Sequence, residues 1–442
     1  MYRIDNRLVS CLSCVFLGVL VSFYFFPVEF VGFAGMNTKK VLAVIGLVIW
    51  IINLIKEKSI SIDRDLFLVH ICALLVSVVG VVSVVYNNTN DITYASYIVS
   101  MWVWLSAAYA VTSLMRVNHG RLDVELVTHY LVGVCVAQCI IAISADLSPR
   151  IQSIVDSIFI PAASREEFGD RLYGVGCALD VAGIKFSAVL LAMTFVMLKQ
   201  SRFMSRKQLF INIVCFIVIS TVGNMISRTT TVGMFMSLFI IIWKTMSLEL
   251  SRNKTRVFRW LVAVCILLIP IIVYFYTSNA RINQNIRFGF EGFFSLVESG
   301  EWQVSSNERL KSMVVFPDNI KTWVIGDGYF NGPDTDPNYV GPQMGGFYMW
   351  TDIGYLRFIF YFGLVGLVMF TLFFVKTTQT CTKKSPDYAI LFWAVLILNL
   401  FCWLKVSTDL FVFFAMFLCL GERNETMVDL RIKHETSTYT FR

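Results

Sequence analysis

Arg171, Arg228, Arg281, Arg287 and Arg357 stand where polar residues interrupt the long apolar runs of this chain. A guanidinium keeps its charge and offers a planar fork of donors to phosphate oxygens. Arginines at the edge of an apolar scaffold therefore suit a ligand that is anionic at one end and greasy at the other, as a lipid phosphate is. Arg228 is the sharpest case, because Met225-Ile-Ser-Arg-Thr-Thr-Thr231 joins two apolar runs with almost no loop. An arginine near hydrocarbon costs about 3 kcal/mol, so a tight turn that holds one there calls for a reason. Snorkelling to headgroups is the plain alternative. Arg171 lies in Arg-Leu-Tyr-Gly-Val-Gly176, whose glycines permit close backbone approach to a ligand. Asp180 and Lys185 follow and can pair with each other. Arg357 comes after Thr351-Asp-Ile-Gly-Tyr355, with Asp352 as its candidate ion-pair partner.

Group transfer to a hydroxyl also needs a base. Neither long polar segment, 146–180 or 278–351, contains a histidine, so a carboxylate has to supply it. Glu291, Glu298, Glu301, Asp327 and Asp352 form the pool. Glu298, Glu291 and Asp352 are the catalytic candidates, and Arg171, Arg228, Arg357 and Arg287 the anion-binding ones. Each carboxylate has a bland reading as a solvated or salt-bridged loop charge. His70, His119 and His129 lie in or near apolar runs or in a cytoplasmic turn and are given no role. Asp334-Thr-Asp336 reads as a turn, and no metal-ligand spacing occurs. Neither a metal nor a cofactor is expected.

These residues need a scaffold, and the composition says which kind. Apolar residues make up 57% of the chain and charged ones 15%, a balance that excludes a soluble globular domain. Crossing a hydrocarbon core of roughly 30 Å takes about 20 helical residues. Run length predicts about twelve spans, near 8–26, 39–55, 66–86, 92–114, 124–145, 181–198, 209–226, 230–246, 257–277, 352–375, 388–404 and 406–420. Lysine and arginine fill every second connection, which predicts that those loops and both termini are cytoplasmic. Lys39 and Lys40 fall on the outer side, against that bias. The net charge of +7 reflects the same bias and implies no nucleic-acid partner. The first apolar run lacks a small-residue cleavage site and reads as a retained anchor.

The expected fold class is an all-α membrane protein with this organisation: a transmembrane bundle over 1–277, an outer loop subdomain over 278–351, further transmembrane helices over 352–420 and a cytoplasmic tail over 421–442. Within the first outward segment, Ile151, Ile154, Val155, Ile158 and Phe159 predict a short helix on the membrane surface, stopped by Pro161. In the second, Ser305-x-x-Glu308 predicts a capping box opening a helix before Pro317, and Gly326-Asp-Gly328 and 331–337 predict turns. Most cysteines lie within apolar runs and read as small hydrophobes.

Three passages together resemble a known family. Arg171-Leu-Tyr-Gly-Val-Gly, Ile226-Ser-Arg-Thr and Val324-Ile-Gly-Asp-Gly-Tyr329 leading to Thr351-Asp-Ile-Gly-Tyr-Leu-Arg-Phe-Ile-Phe-Tyr-Phe-Gly-Leu-Val-Gly366 are similar in order and placement to those of Wzy-type O-antigen or capsular polysaccharide polymerases, of the O-antigen ligase/polymerase superfamily. The resemblance implies a GT-C-like, metal-independent glycosyltransferase of the bacterial inner membrane. It would transfer a glycan from one undecaprenyl pyrophosphate to the sugar of another at the periplasmic face, with a chain-length regulator as a further partner. It also implies pyrophosphate-holding roles for Arg171, Arg228 and Arg357. Ligases of the superfamily often carry a histidine in the large loop. This chain has none, which favours polymerase over ligase. A flippase or other transporter would show repeat symmetry, which is not evident.

Overall fold

A computed structural model describes residues 6–57, 63–161, 171–246, 252–342, 344 and 346–421. Almost all of the expected cytoplasmic tail lies outside the described residues. Among the described residues the chain is all-helical, with only isolated bridges pairing Glu29 with Asn37, Phe30 with Phe159 and Asn331 with Phe347.

The helices in chain order are α1 (Asn6–Phe25), α2 (Thr38–Glu57), α3 (Arg64–Asn87), α4 (Tyr97–His119), α5 (Val124–Leu147), α6 (Pro149–Ile158), α7 (Leu179–Gln200), α8 (Arg206–Ile226), α9 (Thr230–Met246), α10 (Arg252–Ser278), α11 (Ala280–Gly289), α12 (Glu291–Ser299), α13 (Ser305–Ser312), α14 (Ile320–Val324), α15 (Gly354–Lys384), α16 (Ala389–Cys402) and α17 (Phe411–Leu418). Eight of them, α2 to α5, α7, α8, α10 and α15, are long and apolar enough to cross a membrane. That is the architecture expected of a multi-pass membrane protein.

Local signals start and stop the helices. Asp63 accepts from Asp65 N–H and Leu66 N–H to open α3, and Asn88 closes it in the left-handed conformation. Ser205 and Gln208 form a reciprocal capping box on α8. The centre of the bundle is α7, 83% of whose apolar window lies inside the protein, against 17% for α2 and α10. With no hydrophobic drive between helices in lipid, close packing falls to small residues. Gly183 and Gly233 do this work: a Cβ on either would stand 2.3–2.5 Å from Ser227 or Ser187.

Two expected spans turn out to be broken elements. The run 352–375 belongs to the 31-residue α15, which is interrupted at Phe362 and Gly363. The cause is contact with the 278–351 loop and with α3: Asp327 N–H donates to Phe360 O (2.6 Å), Gly328 N–H to Tyr361 O (3.1 Å), and Ser83 Oγ of α3 to Tyr361 O (2.6 Å). The run 406–420 contains only the eight-residue α17, which covers about 12 Å, well short of a bilayer core. Between α16 and α17, residues 403–410 are turn and coil. Irregular backbone in such a place must be satisfied within the protein. Trp403 Nε1 donates to Thr408 O (3.0 Å), Leu410 N–H to Asn399 Oδ1 (2.9 Å) and Tyr355 N–H to Trp403 O (3.1 Å). The α16–α17 pair is thus a hairpin with a polar tip, in which α17 is buried while α16 exposes Ile390, Trp393, Ile397 and Phe401.

In the two long polar segments, α6 covers Pro149–Ile158, with Ile151, Ile154 and Ile158 exposed, and Pro161 follows shortly after its end. The helix expected after Ser305 is present as α13, but the capping box is not. Ser305 is a helical residue there, and its hydroxyl is engaged by Glu291 and Arg228 instead.

Candidate anion-binding and catalytic site

Arg228 is the middle of the three residues that join α8 to α9, and one half-buried carboxylate holds that turn. Asp180, in the first turn of α7, accepts from Ser227 Oγ (2.9 Å) and Thr229 Oγ1 (2.5 Å), the residues on either side of Arg228. Lys405, from the hairpin tip, completes the cluster with an ion pair to Asp180 at 3.0 Å. The expected pairing of Asp180 with Lys185 is therefore corrected. Lys185 is buried and donates instead to Phe25 O at 2.6 Å, because α7 turns that face toward the end of α1.

With its backbone fixed, Arg228 extends over the Phe288 ring (4.2 Å) and pairs with Glu291 at the start of α12. Ser305 lies 3.3 Å from both of its terminal nitrogens, while the buried Nε has no partner. Arg171 approaches the same ring at 5.7 Å and has no carboxylate partner among the described residues. Two guanidinium groups thus share one aromatic ring, and only that of Arg228 has a carboxylate partner. The glycines after Arg171 serve a different end from the one expected. A Cβ on Gly176 would lie 2.6 Å from the Val28 side chain, and Gly174 closes on Gln138, so the close approach is to the protein's own chain. Gln138 locks that loop by exchanging two hydrogen bonds, both 2.9 Å, with the Val175 backbone.

Arg228 and Lys405 form part of the wall of a cavity of about 320 Å³. Its other walls are largely apolar and include Phe293, Trp302, Phe401 and Leu404, all exposed. Polar and apolar surfaces therefore meet in one concavity.

Arg357, on the outer segment of α15, is 5% exposed and lies between the rings of Phe330 (3.6 Å) and Phe347 (4.1 Å). It donates to Ser407 Oγ on the hairpin tip (2.7 Å) and to Phe330 O (2.9 Å). Asp352, in the irregular stretch before α15, comes within 3.8 Å of it, so the expected pair forms without helical spacing. Burial pushes the Asp352 carboxyl up to about 6, only partly offset by Arg357. A carboxyl tuned toward neutrality is a candidate general base.

The remaining candidates are spent elsewhere. Arg287 and Glu298 form a bidentate pair at 2.7 and 2.8 Å, with both side chains well exposed. Arg281 binds Asp146 at 2.9 Å. Asp327 is engaged by Lys321 and Thr322, both at 2.6 Å, and shapes the loop. Glu301 lies in the turn after α12, paired with Gln303 (2.8 Å). Asp336 accepts from Asn338 N–H (2.9 Å), Asn90 N–H (3.0 Å) and Tyr329 O–H (2.8 Å), as a turn residue does. Among the described residues no group of three or more metal-ligating side chains forms.

Sequence reasoning missed Lys405, Ser407 and the keystone role of Asp180. The only available signal was a five-residue stretch with two charges, Lys405-Val-Ser-Thr-Asp409, inside apolar sequence, where an intramembrane charge is a candidate functional group by default. Comparison with protein-family models, with curated proteins and with solved structures returns no match, so the geometry carries the functional argument by itself.

Proposed function

We propose that this protein is a membrane glycosyltransferase that polymerises a lipid-linked polysaccharide, moving a glycan from one undecaprenyl pyrophosphate to the acceptor sugar of another. The observation that carries the reading is the cavity in which Arg228 and Lys405 face Phe293, Trp302, Phe401 and Leu404. A polyprenyl pyrophosphate matches it end for end, with the anion at the cations and the chain on the apolar wall. In this reading about twelve crossings, counting the hairpin, put the site at the periplasmic face of a bacterial inner membrane and both termini in the cytoplasm.

The chemistry follows from the two halves of the site. The acceptor hydroxyl oxygen attacks the anomeric carbon of the donor sugar as the bond from that carbon to the pyrophosphate oxygen breaks. Asp352 takes the hydroxyl proton, and the released lipid pyrophosphate keeps the electron pair. Arg228, with Arg171 and Lys405, offsets the charge growing on that leaving group. Arg357 holds Asp352 and the hairpin tip in register. The leaving group is already activated, so the reading calls on no nucleotide.

Surface glycan from a strain lacking this gene, complemented with wild type, Arg228→Ala or Asp352→Asn, tests the proposal. Single repeat units that lengthen with wild type but with neither variant are the expected result. Long polymer that is made but left unattached would instead identify a ligase. An unchanged ladder would refute any role in glycan assembly.

A further inference from the structure

Within the 278–351 loop, the stretch 314–324 turns its polar side chains inward and its apolar ones outward. Lys321 of α14 donates to Asp327 (2.6 Å) and to Asn87 at the end of α3 (2.8 Å), and the buried Thr322 donates to Asp327 (2.6 Å). Asn319 caps the helix by accepting from Thr322 N–H at 2.8 Å. On the other side Ile320 is 82% exposed and Phe316 60%, with Val314 and Val324 exposed beside them. Phe316 stacks on Trp323 with 6.3 Å between ring centroids, and Trp323 Nε1 donates to Pro317 O at 3.0 Å. Water favours the opposite arrangement, because the exposed apolar side chains then gain nothing while Lys321 gives up hydration.

The helices that hold this stretch fix its depth. At one end of α3, Asp65 pairs with Lys376 and Lys383 of α15 at 2.8 and 2.7 Å. At the other end Ser83 donates to Tyr361 O. From Asp65 to Ser83 the helix rises about 27 Å, close to the roughly 30 Å of a hydrocarbon core. Asn87 stands one turn beyond that boundary, so Lys321, bonded to it, lies at headgroup depth. The Val324 backbone packs on Gly363 of α15, and Leu364 and Val365, which follow, are exposed. The apolar patch therefore adjoins the lipid-facing surface of a membrane-crossing helix. Tryptophan favours this zone, where its ring is half in hydrocarbon and its N–H is satisfied. We infer that residues 314–324 rest in the interfacial layer of the bilayer, with Phe316, Ile320 and Val324 turned to lipid. Asp327 and Gly328 follow shortly and bind the Phe360 and Tyr361 carbonyls, so lipid contact here supports the part of the loop that covers Arg357. The inference needs only the multi-pass architecture and stands apart from the proposed chemistry.

Photo-crosslinking tests this. The photoreactive amino acid benzoylphenylalanine replaces, one at a time, Ile320, Val368 on the exposed apolar side of α15, and Glu308 on the polar helix α13. Each full-length protein is reconstituted in liposomes of phosphatidylethanolamine and phosphatidylglycerol and irradiated. Mass spectrometry is expected to find phospholipid adducts at positions 320 and 368 and none at 308. Lipid adducts at 368 with none at 320 overturn the inference. A crosslink from 320 to a second copy of the chain overturns it as well, by making the patch a protein interface. Ile320 is almost fully exposed, so its replacement disturbs little packing. A second measurement needs no label: the fluorescence lost in Trp323→Phe should be quenched in liposomes of brominated phospholipid. Trp323 emission that the bromines leave untouched would place the stretch in water and overturn the inference.

Discussion

At the scale of single residues, the carboxylates differ by environment and not by type. Asp352 is partly buried and has a raised pKa of about 6, whereas Glu298 is exposed and already neutralised by Arg287. If Asp352 is the base, it acts only when ionised, so activity should rise with pH through about 6, and the acid limb should vanish with the residual rate of Asp352→Asn. A limb unchanged in that variant would remove Asp352 from the reaction. The same shift has a stability consequence. A carboxyl whose folded pKa is raised binds its proton more tightly in the folded state, so its contribution is greatest below its unfolded pKa near 4 and is lost as pH rises through about 6. Asp352→Asn should therefore melt higher than wild type at pH 8 and close to it at pH 4. Arg287→Ala makes the opposite point. A solvent-screened pair contributes little, so this variant should keep near-normal stability and glycan length despite the resemblance of Arg287 to its site-forming neighbours. Loss of polymer in Arg287→Ala would return it to the site.

At the scale of elements, the site depends on two places where helices stop. Gly363 has φ +68°, and a Cβ there would lie 2.1 Å from Val324 O. Neither strain is open to another residue, so Gly363→Ala should destabilise the protein by more than about 2 kcal/mol, read as a lower melting temperature in detergent. An unchanged melting temperature would mean that α15 can run straight past the loop. The break lets Phe360 and Tyr361 carbonyls accept from Asp327 and Gly328 N–H, and so draws the outer loop over Arg357. The second break, at the hairpin tip, delivers Lys405 to Asp180 and Ser407 to Arg357. Broken helices whose ends line a recess are how membrane proteins build polar sites at depth.

At the scale of the molecule, α7 is the hub, because its Asp180 ties the Arg228 turn to Lys405 at the hairpin tip. The hairpin adds either two crossings or none, so it leaves the C-terminus on the same side in both cases. A fluorescent protein fused after Arg442 should therefore glow in the cytoplasm, and a periplasmic phosphatase at the same point should be inactive. The reverse pattern would invert the whole assignment, including the side on which Arg228 works.

The sequence by itself determined the solvent and the elements. Apolar runs long enough to cross a bilayer are a one-dimensional property, and so is a three-residue connection that leaves Arg228 nowhere else to go. The Asp352–Arg357 pair was legible as well, because the partners lie close in the chain. Only tertiary structure could decide which charge meets which. Asp180 meets Lys405 from 225 residues away, and Arg228 meets Glu291 across 63. Helix breaks at 362–363 and 403–410 were not legible from run length: the first is held by hydrogen bonds from α3 and from the 278–351 loop, and the second by bonds that close only once the chain has turned, from Leu410 to Asn399 and from Trp403 to Thr408. A charge in an apolar run announces that a partner must exist, because desolvation without one is too costly. Its identity is set by which helices pack together.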